Sequence, residues 1–140
     1  TNNIATQVET RGPQTAQGGD KTPIVSTVTA AQVPARLGRQ SGAQYVRERF
    51  GNNHVLTIDH RAESTDEATA MSRGRIERES LKLIQGNGAA NGNPQLQSRT
   101  VIELQGLGAR FTRKYYVTST THTIDGNGYQ TTFEAKRDGL

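Results

Sequence analysis

Residues 92–138 read GNPQLQSRTVIELQGLGARFTRKYYVTSTTHTIDGNGYQTTFEAKRD, and the rest of the chain is organised around them. In residues 129–136, two sets of side chains alternate with a period of two, which places successive side chains on opposite faces of a β-strand. One face carries Tyr129, Thr131, Phe133 and Ala135, and the other carries Gln130, Thr132, Glu134 and Lys136. The pattern predicts a strand with one buried and one solvated face.

A hairpin precedes this strand. Asp125-Gly-Asn-Gly128 supplies residues that tolerate positive φ, as a tight turn requires. Residues 114–124 are rich in Tyr, Val and Thr, which favour strands, so they are the predicted partner. Together with residues 101–111, the stretch predicts three antiparallel strands joined by glycine turns.

The order and spacing of GNP at 92–94, VIELQGLGARF at 101–111, KYYVTSTTHTI at 114–124 and GYQTTFEAKRD at 128–138 resemble the end of the hub region of phage late control gene D proteins. Those proteins are related to the valine-glycine repeat G (VgrG-like) spike proteins of type VI secretion systems. The resemblance extends from Ser64 to Asp138. The matching positions are Gly92, Asn93, Pro94, Gly106, Gly108, Phe111, Tyr115, Tyr116, Val117, His122, Gly128, Tyr129 and Phe133.

The resemblance implies a β-barrel-like domain that assembles as a homotrimer. In contractile injection machines such hubs form a ring that joins the tail tube to the spike, so tube, spike and baseplate proteins are the implied partners. The implied location is a virion tail or an assembled injection apparatus. The matching residues have structural roles in this family, and neither a catalytic residue nor a cofactor carries over. The first part of the family's hub and its spike repeats have no counterpart here, and a phage tail and a secretion system both remain open.

The amino-acid composition limits the size of the hydrophobic core. The 140 residues are 31% hydrophobic and 5% aromatic, with no Trp, so Thr and Ala must fill much of a thin core. Such a core predicts burial against another domain or other copies. Because the sequence starts at Thr1 without Met, we expect a piece of a longer chain. The net charge of +4 comes from interspersed charges, which indicates solvated surface rather than a basic tail.

Several classes of site are excluded by residue type. The chain has no Cys, so disulfides, thiolate metal sites and thiol nucleophiles are absent. No apolar run is long enough to span a bilayer, and no signal-peptide pattern occurs. Neither a G-x-x-x-x-G-K-[ST] phosphate loop nor a G-x-S-x-G nucleophile elbow is found.

Residues 1–63 contain shorter sequence patterns that predict strands, a turn and one helix. Strands are predicted at 3–11, 23–30 and 54–60, with a polar turn at 14–21 and a connector at 31–42. In the third strand, Leu56 and Ile58 should face opposite to the odd-numbered residues. A short helix is predicted over 41–50, with Ser41 as its cap and Gly51 after its end. Its inner edge would be Ala43, Val46 and Phe50.

A longer helix is predicted after Ser64. Ser64 and Glu67 form a capping-box pattern, in which each side chain would bond the other residue's amide. A narrow stripe of Ala68, Ser72, Ile76 and Leu83 faces inward. After the helix we expect a strand at 81–84, and the Gly- and Asn-rich segment 85–94 is predicted to be turn structure.

Catalytic or metal chemistry has little support. His54, Asp59, His60 and Glu63 lie close in sequence, but alternation separates the two histidines by six residues along a strand, too far for joint chelation. His122 lies among threonines and is read as a packed or surface residue. Glu103 and Glu134 are the pair of carboxylates placed to face each other across strands, which solvated pairs also do. The sequence therefore predicts neither an enzyme nor a cofactor or small-molecule substrate.

The predicted class is mainly β (α+β), a barrel-like hub domain with one long and one short helix. Residues 1–63 form a loosely assigned portion, and residues 64–140 form the helix and barrel strands. The alternative function is a small basic nucleic-acid-binding module, for which the aromatic and basic run Phe111–Tyr116 is the nearest signal. Because Tyr115 and Tyr116 point to opposite faces, one of them is expected in the core, and no specific nucleic acid is expected as a partner.

Overall fold

A computed structural model describes residues 4–12, 23–51, 54–60 and 62–140. This part of the chain is mainly β with two α-helices, and one sheet curls into a half-barrel, which confirms the predicted fold class. The strands are β1 Gln7–Gly12, β2 Ile24–Thr29, β3 Val55–Asp59, β4 Ile84–Asn91, β5 Val101–Leu104, β6 Arg113–Asp125 and β7 Gly128–Arg137; the helices are α1 Gly42–Phe50 and α2 Thr65–Ser80. The turn predicted at 14–21 lies outside the described residues.

The first sheet contains the three predicted N-terminal strands in the order β2–β1–β3. β1 is antiparallel to β2 and parallel to β3. In β2 the buried residues are Ile24, Ser26 and Val28, and the residues between them are exposed. In β3, Leu56 and Ile58 are the less exposed residues, as predicted. The period-two patterns are therefore confirmed.

The core lies between this sheet and α2. It is built from Ile4, Ala5, Val8, Val28, Ala30, Val33, Ala43, Val46 and Ile76. Hydroxyl pairs complete the interface: Thr10 Oγ1 and Ser72 Oγ are 2.6 Å apart, and Ser26 Oγ and Thr69 Oγ1 are 2.7 Å apart. Because these polar groups bond each other, they can be buried without an unmet hydrogen bond. The predicted thin core, with small and hydroxyl residues filling it, is confirmed.

Helix α1 begins with the predicted cap. Ser41 Oγ accepts from the Gln44 amide at 3.3 Å, while Gln44 Oε1 accepts from the Ser41 amide at 3.1 Å. Gly51 ends the helix at φ 76°, where a residue without Cβ is favoured. Phe50 is 51% exposed, so its predicted place on the inner edge is wrong. Burial decreases from Ala43 to Phe50 because only the first part of α1 packs against the core.

Helix α2 is capped by Ser64, whose Oγ accepts from the Glu67 amide at 3.2 Å. Glu67 Oε2 accepts from the Glu63 amide at 2.7 Å, so the predicted reciprocal bond to Ser64 is wrong by one residue. The predicted stripe of Ala68, Ser72 and Ile76 is buried. Leu83 packs against the same core but lies beyond the helix, which ends at Ser80.

The second sheet has the order β4–β7–β6–β5 and is antiparallel throughout. Its edge strand β4 contains most of the Gly- and Asn-rich segment, so the turn predicted for residues 85–91 is wrong. Residues 81 and 82 form the turn instead, and the strand begins at Ile84. Strand propensity did not predict β4, because this strand is stabilised by pairing with β7 along its whole length and not by its own residue types.

The β6–β7 hairpin matches the sequence prediction. Gly126 and Asn127 form the two-residue turn, and the Asn127 amide donates to Asp125 Oδ1 at 2.8 Å. Gly128 has φ 114°, which glycine alone adopts readily. A β-bulge between Val117 and Ser119 shifts the register within β6.

The end of β7 joins the two sheets. Asp138 accepts from the Arg36 and Leu37 amides at 2.7 and 3.0 Å. Its own carbonyl accepts from the Gly42 amide at 2.6 Å. Arg137 is buried and its Nε donates to the Leu37 carbonyl at 3.3 Å. Residues 36–42 therefore hold the C-terminal strand against the helical half of the molecule.

Candidate functional site

The four-stranded sheet has an apolar face that is buried at Tyr115, Val117 and Ala135 but that the described residues leave partly open around a groove. This inner face carries Ile102 and Leu104 from β5, Tyr115 and Val117 from β6, Phe133 and Ala135 from β7, and Ile84, Gly86 and Gly88 from β4, as their cross-strand register requires. A groove of about 320 Å³ lies on it. We call it the apolar groove; its lining includes Ile84, Gly88, Leu104, Leu107, Phe111, Tyr115, Phe133 and Ala135.

The loop between β5 and β6 forms one wall of the apolar groove. Gly106 and Gly108 have φ 78° and 79°, so the backbone turns sharply at both. The Leu107 amide donates to Thr112 Oγ1 at 3.1 Å, and Tyr115 Oη donates to the Phe111 carbonyl at 2.9 Å. These bonds hold Leu107 and Phe111 in place although their side chains are 53% and 43% exposed. The wall is ordered and apolar, yet open to solvent.

Two glycines make room for aromatic rings. A Cβ on Gly88 would lie 2.6 Å from the Phe133 ring, its cross-strand partner. A Cβ on Gly92 would lie 1.9 Å from the Tyr129 ring, and the Gly92 amide donates to the Tyr129 carbonyl at 2.9 Å. Glycine in a strand often marks such a close approach. The glycine-rich edge and the aromatic residues of β7 are thus complementary.

A polar network fixes the segment 92–94 to the hairpin. His122 Nδ1 lies 2.9 Å from Tyr129 Oη and 3.0 Å from Thr131 Oγ1. Thr131 Oγ1 also accepts from the Asn93 amide at 3.1 Å. His122 therefore orients its two β7 neighbours, and the predicted packed or surface histidine is a positioning residue on the exposed part of the sheet.

The structure brings together most of the residues marked by the family resemblance. Gly92, Asn93, His122 and Tyr129 meet in the polar network, while Phe111, Tyr115 and Phe133 line the apolar groove. Val117 is buried on the inner face. Tyr116 lies apart on the opposite face beside Arg36 and Val101. Tyr115 is buried, which confirms the prediction of a core tyrosine in this pair. Pro94 lies in a turn, Gly106 and Gly108 lie in the loop between β5 and β6, and Gly128 is the first residue of β7.

The residues considered for metal binding or catalysis do not come together in one site. Among the described residues, no group of three or more His, Cys, Asp or Glu side chains is arranged to hold a metal ion. Glu103 pairs with Lys114 and Glu134 with Ser119, so β6 separates the two carboxylates and the expected facing pair is wrong. Neither helix of the described chain is long and apolar enough to cross a membrane.

The aromatic and basic run at 111–116 does not form a stacking surface. Phe111 and Tyr115 turn into the apolar groove, whereas Lys114 lies on the opposite face of β6. Single-strand binders instead interleave exposed aromatic rings with cations on one surface. This arrangement gives the nucleic-acid alternative no local support.

Residues 22–126 match a family model described as the Alg8 N-terminal domain, and the match covers more than half of the chain. The chain belongs to this family. The Alg8 N-terminal domain match runs from the start of β2 to the turn between β6 and β7, so it includes the groove wall and His122. The matching family model is not that of the late control gene D family, so the resemblance to late control gene D proteins stays a prediction. No curated protein matches the sequence.

Among solved structures, the fold is similar to that of a chain in "Virion of native gene transfer agent (GTA) particle". The TM-score is 0.50 and the sequence identity is 14%. The likeness covers 96% of this chain and 25% of that chain, so this member of the Alg8 N-terminal domain family spans about a quarter of its neighbour's length. At this identity the likeness concerns the fold.

Sequence reasoning missed the β4 side of the groove. Gly86 and Gly88 lie in the segment predicted as a turn, and Ile84 was predicted to end a strand, yet all three line the groove as residues of β4. The available signal was the spacing of the glycines by two, which places them on one strand face opposite Ala135 and Phe133.

Proposed function

We propose that this chain is a structural component of a contractile injection machine, in which it joins the tail tube to the spike. It assembles as a homotrimer and contacts tube, spike and baseplate proteins in a virion tail or a related apparatus. The resemblance of residues 64–138 to the hub motif and the fold likeness to a chain of a virion particle support this choice of machine. Fold alone does not specify function, so the proposal depends on a surface suited to assembly.

The observation that carries the proposal is the open apolar groove. Leu107 and Phe111 are large, exposed apolar residues held in a hydrogen-bonded loop, and with the half-buried Leu104 and Phe133 they line one concavity. Contiguous apolar surface on a soluble protein marks an interaction site. Covering this face in an assembly would bury it and complete the thin hydrophobic interior of the four-stranded sheet.

The pairing of this sheet supports the proposed mechanical role. β7 is hydrogen-bonded on both sides, and its end is tied to residues 36–42 through Asp138. A load applied to the sheet is therefore shared by many backbone hydrogen bonds rather than by one loop. The domain would pass the force of sheath contraction to the spike without unfolding.

The test uses the exposed groove wall. Leu107→Ser and Phe111→Ser, made together, keep the backbone bonds that order the loop but remove apolar surface. We expect the double variant to keep the fold and to lose the trimer, measured as solution mass. Val25→Ser, at a 49% exposed residue of β2 on the other sheet, is the matched control and should leave the trimer intact. A double variant that remains trimeric overturns the proposed use of the groove.

A further inference from the structure

Strand β6 extends well beyond its neighbour on one side. It has 13 residues, whereas β5 has 4 and pairs only with Arg113–Tyr116. Arg99 and Thr100 then bond Val117 at 2.8 and 2.9 Å. Beyond Val117, no strand within residues 4–12, 23–51, 54–60 or 62–140 flanks this side of β6. We call the backbone from Ser119 to Asp125 the open edge.

The pairing with β7 determines which backbone groups point out of the open edge. The Tyr129 carbonyl accepts from Gly92, so Tyr129 directs its backbone groups away from β6. Its register partner Ile124 must then direct its own N–H and C=O outward, because opposed residues of an antiparallel pair alternate between bonded and non-bonded. The same alternation turns the backbone groups of His122 and Thr120 outward.

Apart from the β-bulge where it begins, the open edge has little protection against pairing. Exposed edges are commonly guarded by Lys or Pro, and the segment TSTTHTI at 118–124 has neither. Four of its seven residues are Thr, which favours extended structure. Ile124 is 80% exposed at its end. Arg99 has φ 67°, so the preceding chain turns away from β6 where the open edge begins.

We propose that the open edge pairs antiparallel with the same edge of a second copy, about a two-fold axis at His122. His122 lies opposite His122 of the second copy, and Thr120 lies opposite the partner's Ile124. Each of the three opposed pairs then forms two backbone hydrogen bonds, so every outward N–H and C=O of these residues is satisfied. The two inner faces join on one side of a continuous sheet.

The length of the edge favours a second copy as the occupant. In this register Ser119 faces the partner's Asp125, so the partner's hairpin turn falls beside the bulge at Thr118, where Arg99 and Thr100 close the edge. The open edge is about 20 Å long and accommodates the same length of strand from the partner's hairpin. No charged residue lies opposite a like charge, and Asp125 meets a serine hydroxyl. The contact is isologous, so it goes beyond the proposed trimer and would join two such rings.

The absence of cysteine provides a direct test. A single His122→Cys substitution puts the only thiol on the two-fold axis, where Cα atoms about 5.5 Å apart permit a disulfide. We expect mild oxidation to convert most of the protein to a disulfide-linked dimer. Gln130→Cys is equally exposed but lies on β7, and its two copies would be too far apart to bridge. Equal yields from both variants overturn the proposal.

A mixed reaction tests the register without removing His122. Thr120→Cys and Ile124→Cys proteins, mixed in equal amounts, should give the mixed disulfide, and each alone should give at least five-fold less dimer. Homodimers of Thr120→Cys in comparable yield contradict the register.

A third pair of variants tests the backbone contact. Thr120→Pro removes one outward N–H and leaves the β7 ladder intact, while Ile124→Lys adds a charge at an exposed residue. Placed in the His122→Cys protein, either change should reduce the disulfide yield at least ten-fold, with circular dichroism unchanged. If the disulfide yield of the folded variants is undiminished, edge pairing is overturned and the disulfide comes from chance collision. Retention of the trimer in Thr120→Pro, by solution mass, separates this result from the proposed function.

Discussion

The two sheets of this molecule contain similar numbers of strands but are stabilised differently. The three-stranded sheet is covered by α2 and buries Val8, Val28 and Ile76 between layers. The four-stranded sheet is held by long strand pairing and by aromatic rings over glycines, and its apolar residues line an open groove. A sheet normally needs a second layer over its apolar face. The first sheet is therefore stabilised within the chain, and we propose that assembly covers the second.

The largest expected effect lies in the covered sheet. Ile76 of α2 is 0% exposed within the core. Ile76→Ala should lower the free energy of unfolding by ~2–5 kcal/mol because it removes buried surface and leaves a cavity. Arg73→Ala, on the exposed side of the same helix, should change it by less than ~0.5 kcal/mol. Urea denaturation measures both, and equal costs would contradict a core beneath α2.

A smaller effect is expected where glycines accommodate rings. Gly88→Ala places a Cβ against Phe133 and should lower the free energy of unfolding by ~1–3 kcal/mol through overpacking. Gly86→Ala, two residues earlier in β4, meets nothing within 4 Å and is the control. We expect it to be neutral or slightly stabilising in thermal denaturation. If the two variants behave alike, the aromatic contact does not organise this edge.

The N-terminal cap of α2 gives the next effect. Ser64→Ala removes the acceptor for the Glu67 amide and should lower the free energy of unfolding by ~1 kcal/mol. Ser98→Ala, at an exposed serine in a turn, is the control and should show no measurable change. A cost no greater than that of the control would mean that the Glu67–Glu63 bond alone holds this helix end.

The smallest effect on stability is expected in the groove wall. Leu107→Ser and Phe111→Ser act on exposed side chains, so each should change the free energy of unfolding of the dissociated chain by less than ~0.5 kcal/mol. The same substitutions should abolish association. A large loss of stability in dilute protein, measured by urea denaturation, would show that the groove wall is part of the chain's own core.

The sequence predicted those parts of the fold that local chemistry determines. Alternation identified β3 and β7, a run of β-branched residues identified β2, the DGNG turn identified the hairpin, and Ser41 and Ser64 identified the helix starts. The β4 strand could not be predicted in this way, because glycine and asparagine disfavour strands and β4 depends on the rings of β7. Phe50 was misplaced because periodicity gives a direction around a helix but not where its packing ends.

The candidate site was predictable only in part. The resemblance marked Phe111, Tyr115 and Phe133, which share the groove, and Asn93, His122 and Tyr129, which share one polar network. Sequence spacing did not show that the groove is open, because exposure depends on which layers cover the sheet. The free length of β6 was equally hidden, since it depends on β5 stopping after four residues.

The most direct test of the central claim is the solution mass by light scattering over a concentration series. It is best made in the Thr120→Pro background, where the open edge cannot contribute. Assembly through the groove predicts three times the chain mass at high concentration and a return to monomer when Leu107→Ser and Phe111→Ser are added. A protein that remains monomeric at every concentration, with or without these changes, would contradict the account.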